Sequence, residues 1–322
     1  MTIKIHKALC LSILMFLAGC NGDIFVDDYL PGGYNEITLS EIDNSKEINF
    51  KSDNWGLIYI ACQTIDSYTT NAYTIDGKPT NLPFEKKELG TVHYTSDYID
   101  VQVEKKSDNT LKVILNENLL NRDEEMLITV GNEFKEENIK LLLSPTQKYR
   151  IDSVVYDWDK FETHEGSLKE MEYLTVNNQQ SSLPLTITFF PFKKSAREIN
   201  FHDSTTLWEE EVYSRLLGTP LPEITIPDVV DAKPVLHDTK VAFGIRDQHL
   251  STNLDKELAV DVTIDGFSRR KVIVYNKLIW YSVPYKIYLS NPKTGKELIF
   301  TGKLYSEEPI DYLILKQVVD EN

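Results

Sequence analysis

Apolar and polar residues alternate in short blocks separated by turn signals, and this constrains the fold of the 322-residue chain more than any other feature. Ile99, Val101 and Val103 alternate with polar neighbours, Ser107-Asp108-Asn109 turns the chain, and Leu111, Val113 and Leu115 alternate on the return. Every second side chain of a strand lies on one face, so this pattern predicts a hairpin with one face buried. The same period recurs at Ile48 and Phe50, at Ile58, Ile60 and Cys62, at Met126, Ile128 and Val130, and across Ile139–Leu143. No helical window competes with it, which predicts an antiparallel sandwich. Residues Asp66 to Gly90, with Gly77, Pro79 and Pro83, read as a long loop.

Ser144-Pro145-Thr146-Gln147 is the best domain boundary, because proline ends strand pairing and polar residues follow. Beyond it, Ile151–Tyr156, Glu172–Val176 and Leu183–Phe192 read as strands. Leu207 to Leu217 is the one helical window, with Trp208, Val212 and Leu216 at four-residue spacing. Pro220, Pro222, Pro227 and Pro234 mark an extended connection. Val260–Ile264 and Lys271–Tyr275 flank Asp265-Gly266 as a hairpin, and a further hairpin turns at Asn291–Gly295 between Lys286–Leu289 and Leu298–Leu304. The predicted fold is all-β: two immunoglobulin-like β-sandwich domains in tandem, with one short helix in the second.

At the N-terminus, Lys4 and Lys7 precede an apolar run from Ala8 to Leu17 that is too short to span a bilayer, which needs roughly 20 residues. Leu17-Ala18-Gly19-Cys20 closes the run and resembles the lipobox of bacterial lipoproteins. The resemblance implies cleavage before Cys20 and lipid on its sulfur and new amino terminus, several acyl chains together giving lasting attachment. Residues 1–19 then form a signal peptide and 20–34 a polar tether. Asp23, Asp27 and Asp28 resemble the acidic surface-export signal of Bacteroidetes lipoproteins, which implies an outer-membrane, lipid-anchored, surface-exposed protein. Loss of Lys4 and Lys7, with no acid lost, takes the net charge from −16 to −18. Such a charge repels phosphate backbones and argues against nucleic acid as a partner.

The Ser52-Asp-Asn-Trp55 corner, the Leu111–Asn116 strand and Asn121-Arg122 leading into Met126–Val130 resemble the BACON-type immunoglobulin-like domains of Bacteroidetes surface lipoproteins. The resemblance covers residues 35–145 and implies a sandwich fold, often a spacer; residues 150–322 form the C-terminal sandwich. Once Cys10 leaves with the leader and Cys20 carries lipid, Cys62 is alone, so no intramolecular disulfide forms in the mature chain. Its place on the face of Ile58 and Ile60 predicts a buried, inert thiol.

Motifs that carry chemistry are missing. His164-Glu165 begins like a zinc-protease helix, but Leu168 stands where the second histidine belongs. His202-Asp203-Ser204 holds triad residue types side by side, which is not how a triad is built. Asp157, Asp159 and Glu162 lack the spacing and glycine of a calcium loop. Asp152-Ser153-Val154 and Asp203-Ser204-Thr205 match a short O-glycosylation consensus of Bacteroidetes exported proteins. The expectation is therefore a non-enzyme with no metal and no cofactor. Its partners are the membrane, through the anchor, and a glycan or surface protein. Trp280, Tyr281 and Tyr285 are the candidate ligand-binding residues, because aromatic rings stack on sugars and anchor interfaces.

Three functions stay open: a non-catalytic binding or accessory lipoprotein, which leads; a fimbrillin-like pilus subunit, with Tyr312–Val319 as an exchangeable strand; and an aerolysin-like pore former, from the polar, amphipathic strands of the second half. Cys20→Ala is expected to leave an uncleaved or mislocalised precursor that no longer partitions into the detergent phase.

Overall fold

The computed structural model describes residues 29–319 apart from 31, 33, 35, 86 and 204–209. Cys20 and the leader lie outside the described residues. The chain divides into two compact units, residues 1–147 and 148–322.

The first unit contains β1 (Glu36–Leu39), β2 (Ser45–Asn49), β3 (Gly56–Cys62), β4 (Thr69–Thr74), β5 (Pro79–Thr80), β6 (Gly90–Thr95), β7 (Ile99–Ser107), β8 (Thr110–Asn118), β9 (Glu124–Gly131) and β10 (Glu136–Leu143). They form a four-stranded sheet in the order β1-β10-β9-β3 and a six-stranded sheet in the order β2-β8-β7-β6-β4-β5. All pairs are antiparallel except β1 with β10. The alternating residues of β7, β8, β9 and β10 all turn into one shared core, together with Cys62, Trp55 and Phe84. Residues 66–90 differ from the loop expected of them: β4 pairs with β6 from Thr69–Thr95 to Thr74–Gly90. Its sequence is nearly all polar and only Ala72 is buried, so periodicity left no trace.

Two further features of this core depart from the sequence reading. Tyr29, assigned to the tether, is buried, and its hydroxyl donates to the Val130 carbonyl at 3.0 Å. Lys105 continues the inward row of Ile99, Val101 and Val103 and is 1% exposed. Its ammonium donates to the Trp55 and Glu85 carbonyls at 3.2 and 2.8 Å and lies 4.8 Å from the Trp55 ring centre. A buried charge costs less when hydrogen bonds and an aromatic face replace its water. Burial still holds the Lys105 pKa below its ordinary value.

The second unit contains β11 (Arg150–Tyr156), β12 (Glu162–Asn178), β13 (Leu185–Phe189), β14 (Arg197–Asp203), α1 (Glu210–Leu217), β15 (Glu223–Val230), β16 (Lys233–Ala242), β17 (Asp247–Leu250), β18 (Val260–Ile264), β19 (Ser268–Ser290) and β20 (Glu297–Val318). Strands here reach lengths that the sequence reading did not anticipate. The segments expected separately at 271–275 and 286–289 are parts of one 23-residue strand, β19. At ~3.3 Å per residue it spans about 75 Å. It pairs with β20 from Arg270–Val318 to Ser290–Glu297. Its other edge carries β11 and β12 end to end, with the single turn Trp158–Lys160 between them. Pro284 sits opposite that interruption, where a missing N–H costs no ladder hydrogen bond, and its carbonyl accepts from the Asp157 N–H at 2.9 Å. β14 and β17 extend the sheet beyond β20.

Two smaller sheets lie outside this ladder. β13 pairs with β18, and their Phe189, Val262 and Ile264 pack against Val176, Val272 and Val274 of the long sheet. The hairpin expected between β18 and β19 is thus absent, because Asp265-Gly266 carries the chain from one sheet to the other. β15 pairs with β16, so the proline-punctuated connection is itself a hairpin, turning at Asp231 and Ala232 with φ of 51° and 59°. Neither residue is a glycine or asparagine, and this hid the turn from the sequence reading.

Cys62 is buried, and burial pushes its thiol up to about 11. In the chain from Asn21 onward, which keeps Cys62 as its one cysteine, maleimide at pH 8 is expected to leave Cys62 unmodified until denaturant is added. Rapid labelling of the native chain would contradict the burial.

Candidate functional site

β14 and β17 are neighbours in the long sheet, with Ile199 opposite Gln248 and Asn200 opposite Asp247. Between them, residues 210–246 leave the sheet and fold back over one of its faces as α1 and the β15–β16 hairpin. The covered face follows from alternation: Phe201 on β14, Leu304 on β20, and Val283, Tyr285 and Ile287 on β19 are all buried. Tyr213 and Leu216 of α1, Ile224 and Ile226 of β15, and Val241 and Phe243 supply the buried side chains of the segment laid over it. Phe243 meets Phe201 edge to face at 5.9 Å and Tyr213 at 5.2 Å. Such pairs contribute about 0.5–1.5 kcal/mol beyond their buried area.

Polar contacts fix the hairpin in register. Arg197, 5% exposed, donates from Nη1 to Asp228 Oδ1 at 2.5 Å and from Nη2 to the Pro227 carbonyl at 2.7 Å. Its Nε reaches Ser306 Oγ at 2.9 Å, and Glu308 lies 3.5 Å from Nη1. Tyr281 donates to the same Pro227 carbonyl at 2.7 Å, and Tyr156 donates to the Thr225 carbonyl at 2.8 Å. Thr239 donates to both oxygens of Asp228. The two carbonyls are free to accept because pairing slips between Thr225 and Pro227. Burial opposes the Arg197 charge, but Tyr281, Asp228 and Glu308 outweigh it and hold its pKa above the ordinary value. Burial pushes the Tyr281 phenol up to about 12 against the pull of Arg197.

Apart from the Tyr156–Thr225 bond, the hairpin leaves an open cleft of about 560 Å³ against β11, lined by Ile151, Tyr156, Leu217, Ile224 and Leu236. At its outer end Val230 and Leu236 stay 45% and 51% exposed. The segment is thus held by a few strong clamps over an incomplete apolar contact.

The aromatic candidates do not share a surface. Tyr281 and Tyr285 are 3% and 2% exposed on the covered face, as clamp and core, while Trp280 points to the opposite face, 6.4 Å from the His164 ring. His164 and Glu165 lie on strand β12 rather than on a helix. Asp157 pairs with Lys160 at 2.8 Å, and Glu162 accepts from Ser282 and Lys303, so these carboxylates do not converge. No group of three or more His, Cys, Asp or Glu is placed to hold a metal among the described residues. Ser204 and Thr205 fall outside them. Tyr312–Val319 is not a separable strand, since residues up to Val318 belong to β20 and stay in register with Arg270–Asn276 of β19. Arg197 and Asp228 went unnoticed in sequence because they lie 31 residues apart with no motif around either.

No family model matches the chain, and no curated protein matches it. Among solved structures it is similar to parasporin-2, a Bacillus thuringiensis toxin that recognizes cancer cells, at 12% identity and TM-score 0.26, covering 52% of this chain and 73% of that one. It is similar to lamprey immune protein at 11% identity and TM-score 0.32, covering 85% and 98%. It is also similar to an aerolysin-like protein of Bombina maxima at 11% identity and TM-score 0.24, covering 51% and 97%. The leading expectation, a binding or accessory lipoprotein, is corrected on this finding.

Arg197→Met is expected to cost about 2–3 kcal/mol, because the partly buried Asp228 loses its cationic partner and keeps only Thr239, while the Pro227 carbonyl keeps only Tyr281. Tyr281→Phe is expected to cost about 1 kcal/mol, the net contribution of one hydrogen bond. Urea denaturation measures both. Limited proteolysis is expected to cut Arg197→Met within residues 221–246 before the rest of the unit opens.

Proposed function

We propose that the chain is an aerolysin-like pore former whose membrane-crossing element is the β15–β16 hairpin, carried between β14 and β17. One observation carries the reading. Two adjacent antiparallel strands of a long sheet are joined by a segment that lies folded on that sheet and is itself a hairpin. The β15–β16 hairpin has arms of eight and ten residues, close to the about 9–11 residues that a transmembrane strand needs.

The chemistry of the segment fits both states. Ile224, Ile226, Val241 and Phe243 alternate with Glu223, Thr225, Lys240 and Ala242. One face of a β-hairpin so composed suits lipid and the other suits a water-filled lumen. A lone hairpin in a bilayer leaves its edges unpaired, so several copies must close a barrel. No helix among the described residues is long and apolar enough to cross a membrane, which leaves a strand barrel open as the means of crossing. Docking residues 210–246 on the sheet hides their apolar face until the clamp opens, and no catalytic step is required. The leader and Cys20 support lipid anchorage at an outer membrane surface, which places the body beside a bilayer.

The test is dye release from lipid vesicles combined with a probe in the hairpin turn. Ala232→Cys, labelled with an environment-sensitive fluorophore, is expected to blue-shift its emission as dye escapes, and detergent-resistant oligomers are expected to form. Vesicles that stay sealed at every lipid composition tried, with the chain remaining monomeric, would refute the pore.

A further inference from the structure

We infer that the end of the long sheet formed by the Asn178–Leu183 loop and the Asp265–Phe267 turn is a docking tip for an anionic lipid bilayer. This rests on the pore reading only in taking a bilayer as the partner. It concerns a different part of the unit: the tip lies at the N-terminal end of β19, opposite the end where Arg150 pairs with Ser290.

The first observation is a misplaced aromatic. Phe267 occupies a left-handed position, φ 54°, where glycine or asparagine is the ordinary choice, and its side chain is 71% exposed. The residue therefore bears backbone strain and displays a large apolar ring to water. Leu183 in the neighbouring loop is 72% exposed, and Val318 at the end of β20 is 67% exposed. A fold gains nothing from these three in isolation, and strain of this kind persists where function uses it.

The second observation is that the tip is rigid. The Phe267 N–H donates to the Ser181 carbonyl at 2.8 Å, which ties the two turns together. Asn178, buried, donates from Nδ2 to the Leu183 carbonyl at 2.8 Å and to the Asp265 carbonyl at 3.1 Å. A side chain at Gly266 would collide with the backbone of Ser181 and Ser182. Phe267 and Leu183 are thus presented at fixed places on a braced end, which lowers the ordering cost of docking.

The third observation is charge. Arg269, Arg270 and Lys271 follow the turn directly, and Lys316 stands opposite Val272 on the next strand. Lys271 lies 4.3 Å from the ring centre of the exposed Tyr173, and Lys316 donates to the Thr263 carbonyl at 3.3 Å. None of the four cations forms an ion pair with a carboxylate among the described residues. Asp265 is the opposing charge in the turn. In a chain of net charge −16, four cations on the two strands that run into this end, two on each side of the sheet, work against the overall field, although Asp320 and Glu321 follow Val318 in sequence. Exposed apolar side chains at the end of strands that carry cations on both sides fit the boundary between acyl chains and anionic headgroups. A soluble anion would use the cations and leave Phe267 and Leu183 in water.

The experiment uses the chain from Asn21 onward, without lipid, and vesicles of phosphatidylcholine with or without phosphatidylserine. Wild type is expected to bind the serine-containing vesicles at least tenfold more tightly, with affinity falling as salt rises. Phe267→Gly is expected to keep or raise the melting temperature, because glycine accepts the positive φ, and to weaken vesicle binding. Phe267→Gly with Leu183→Ser is expected to lose at least tenfold in binding. Wild-type affinity in the double variant, or equal wild-type affinity for both vesicle types, would overturn the tip. The two proposals fail separately. Wild-type binding without dye release refutes the pore and keeps the tip, whereas undiminished binding and release by the double variant does the reverse.

Discussion

The ladder between β19 and β20 is the support on which the rest of the second unit depends. Twenty-odd residues of continuous antiparallel pairing give β19 a straight edge long enough to carry β11 and β12 in line, and give β20 an edge for β14. Each of those strands is stable only because the ladder satisfies one side of its backbone. The ladder also fixes alternation over its length, so one face near the β14 end collects Tyr285, Val283 and Leu304 while another stretch collects Val272 and Val274. Those two apolar areas receive residues 210–246 and the β13–β18 pair. A register slip of one residue would turn both areas to the other face.

The energetics of the two coverings differ in kind. β13–β18 is held by aliphatic contact through Val262, Ile264 and Phe189. The β15–β16 hairpin is held by an incomplete apolar contact plus a buried charge cluster centred on Arg197. Aliphatic burial is non-directional and tolerates small shifts. A buried ion pair is strong only while its geometry and hydrogen bonds are intact, and it becomes a cost when one partner leaves. The hairpin is therefore set to stay or to leave as a piece, and such bistability is what a conformational transition requires.

The free edges of the long sheet are protected by ordinary means. β12 pairs on one side only over most of its length, and its ladder is broken by bulges at Glu165–Ser167 and Glu170–Glu172, with Gly166 at φ 96°. Bulges and edge charges such as Glu165, Lys169 and Glu172 discourage unplanned strand addition. The tip obeys the opposite logic: its apolar side chains are exposed on a braced turn at the end of strands that carry cations. That contrast within one sheet separates a surface kept inert from one suited to contact.

Much of the first unit was legible in the residues themselves. A period of two between turn signals follows from strand geometry alone, and it marked the inward rows of β7 to β10 and the buried Cys62. The same rule found β11 and the Asn291–Gly295 turn, and the N-terminal leader reads locally as well. What the residues left undecided is non-local. Nothing near Lys271–Tyr275 or Lys286–Leu289 says that they belong to one strand, because Pro284 between them is tolerated only where β11 and β12 happen to meet. The polar β4 and the proline-rich β15 carry no periodic signal, since the first has little to bury and the second is bound through its carbonyls. Arg197 and Asp228 acquire meaning only when the hairpin folds back, and Phe267 reads as an ordinary turn neighbour until its φ and exposure are known. The sequence by itself thus determined, for the periodic segments, which are strands and which of their faces turn inward, because those depend on neighbours two residues away. Tertiary structure alone decided how long the strands run, what covers them and which side chains meet, because those depend on contacts tens of residues apart.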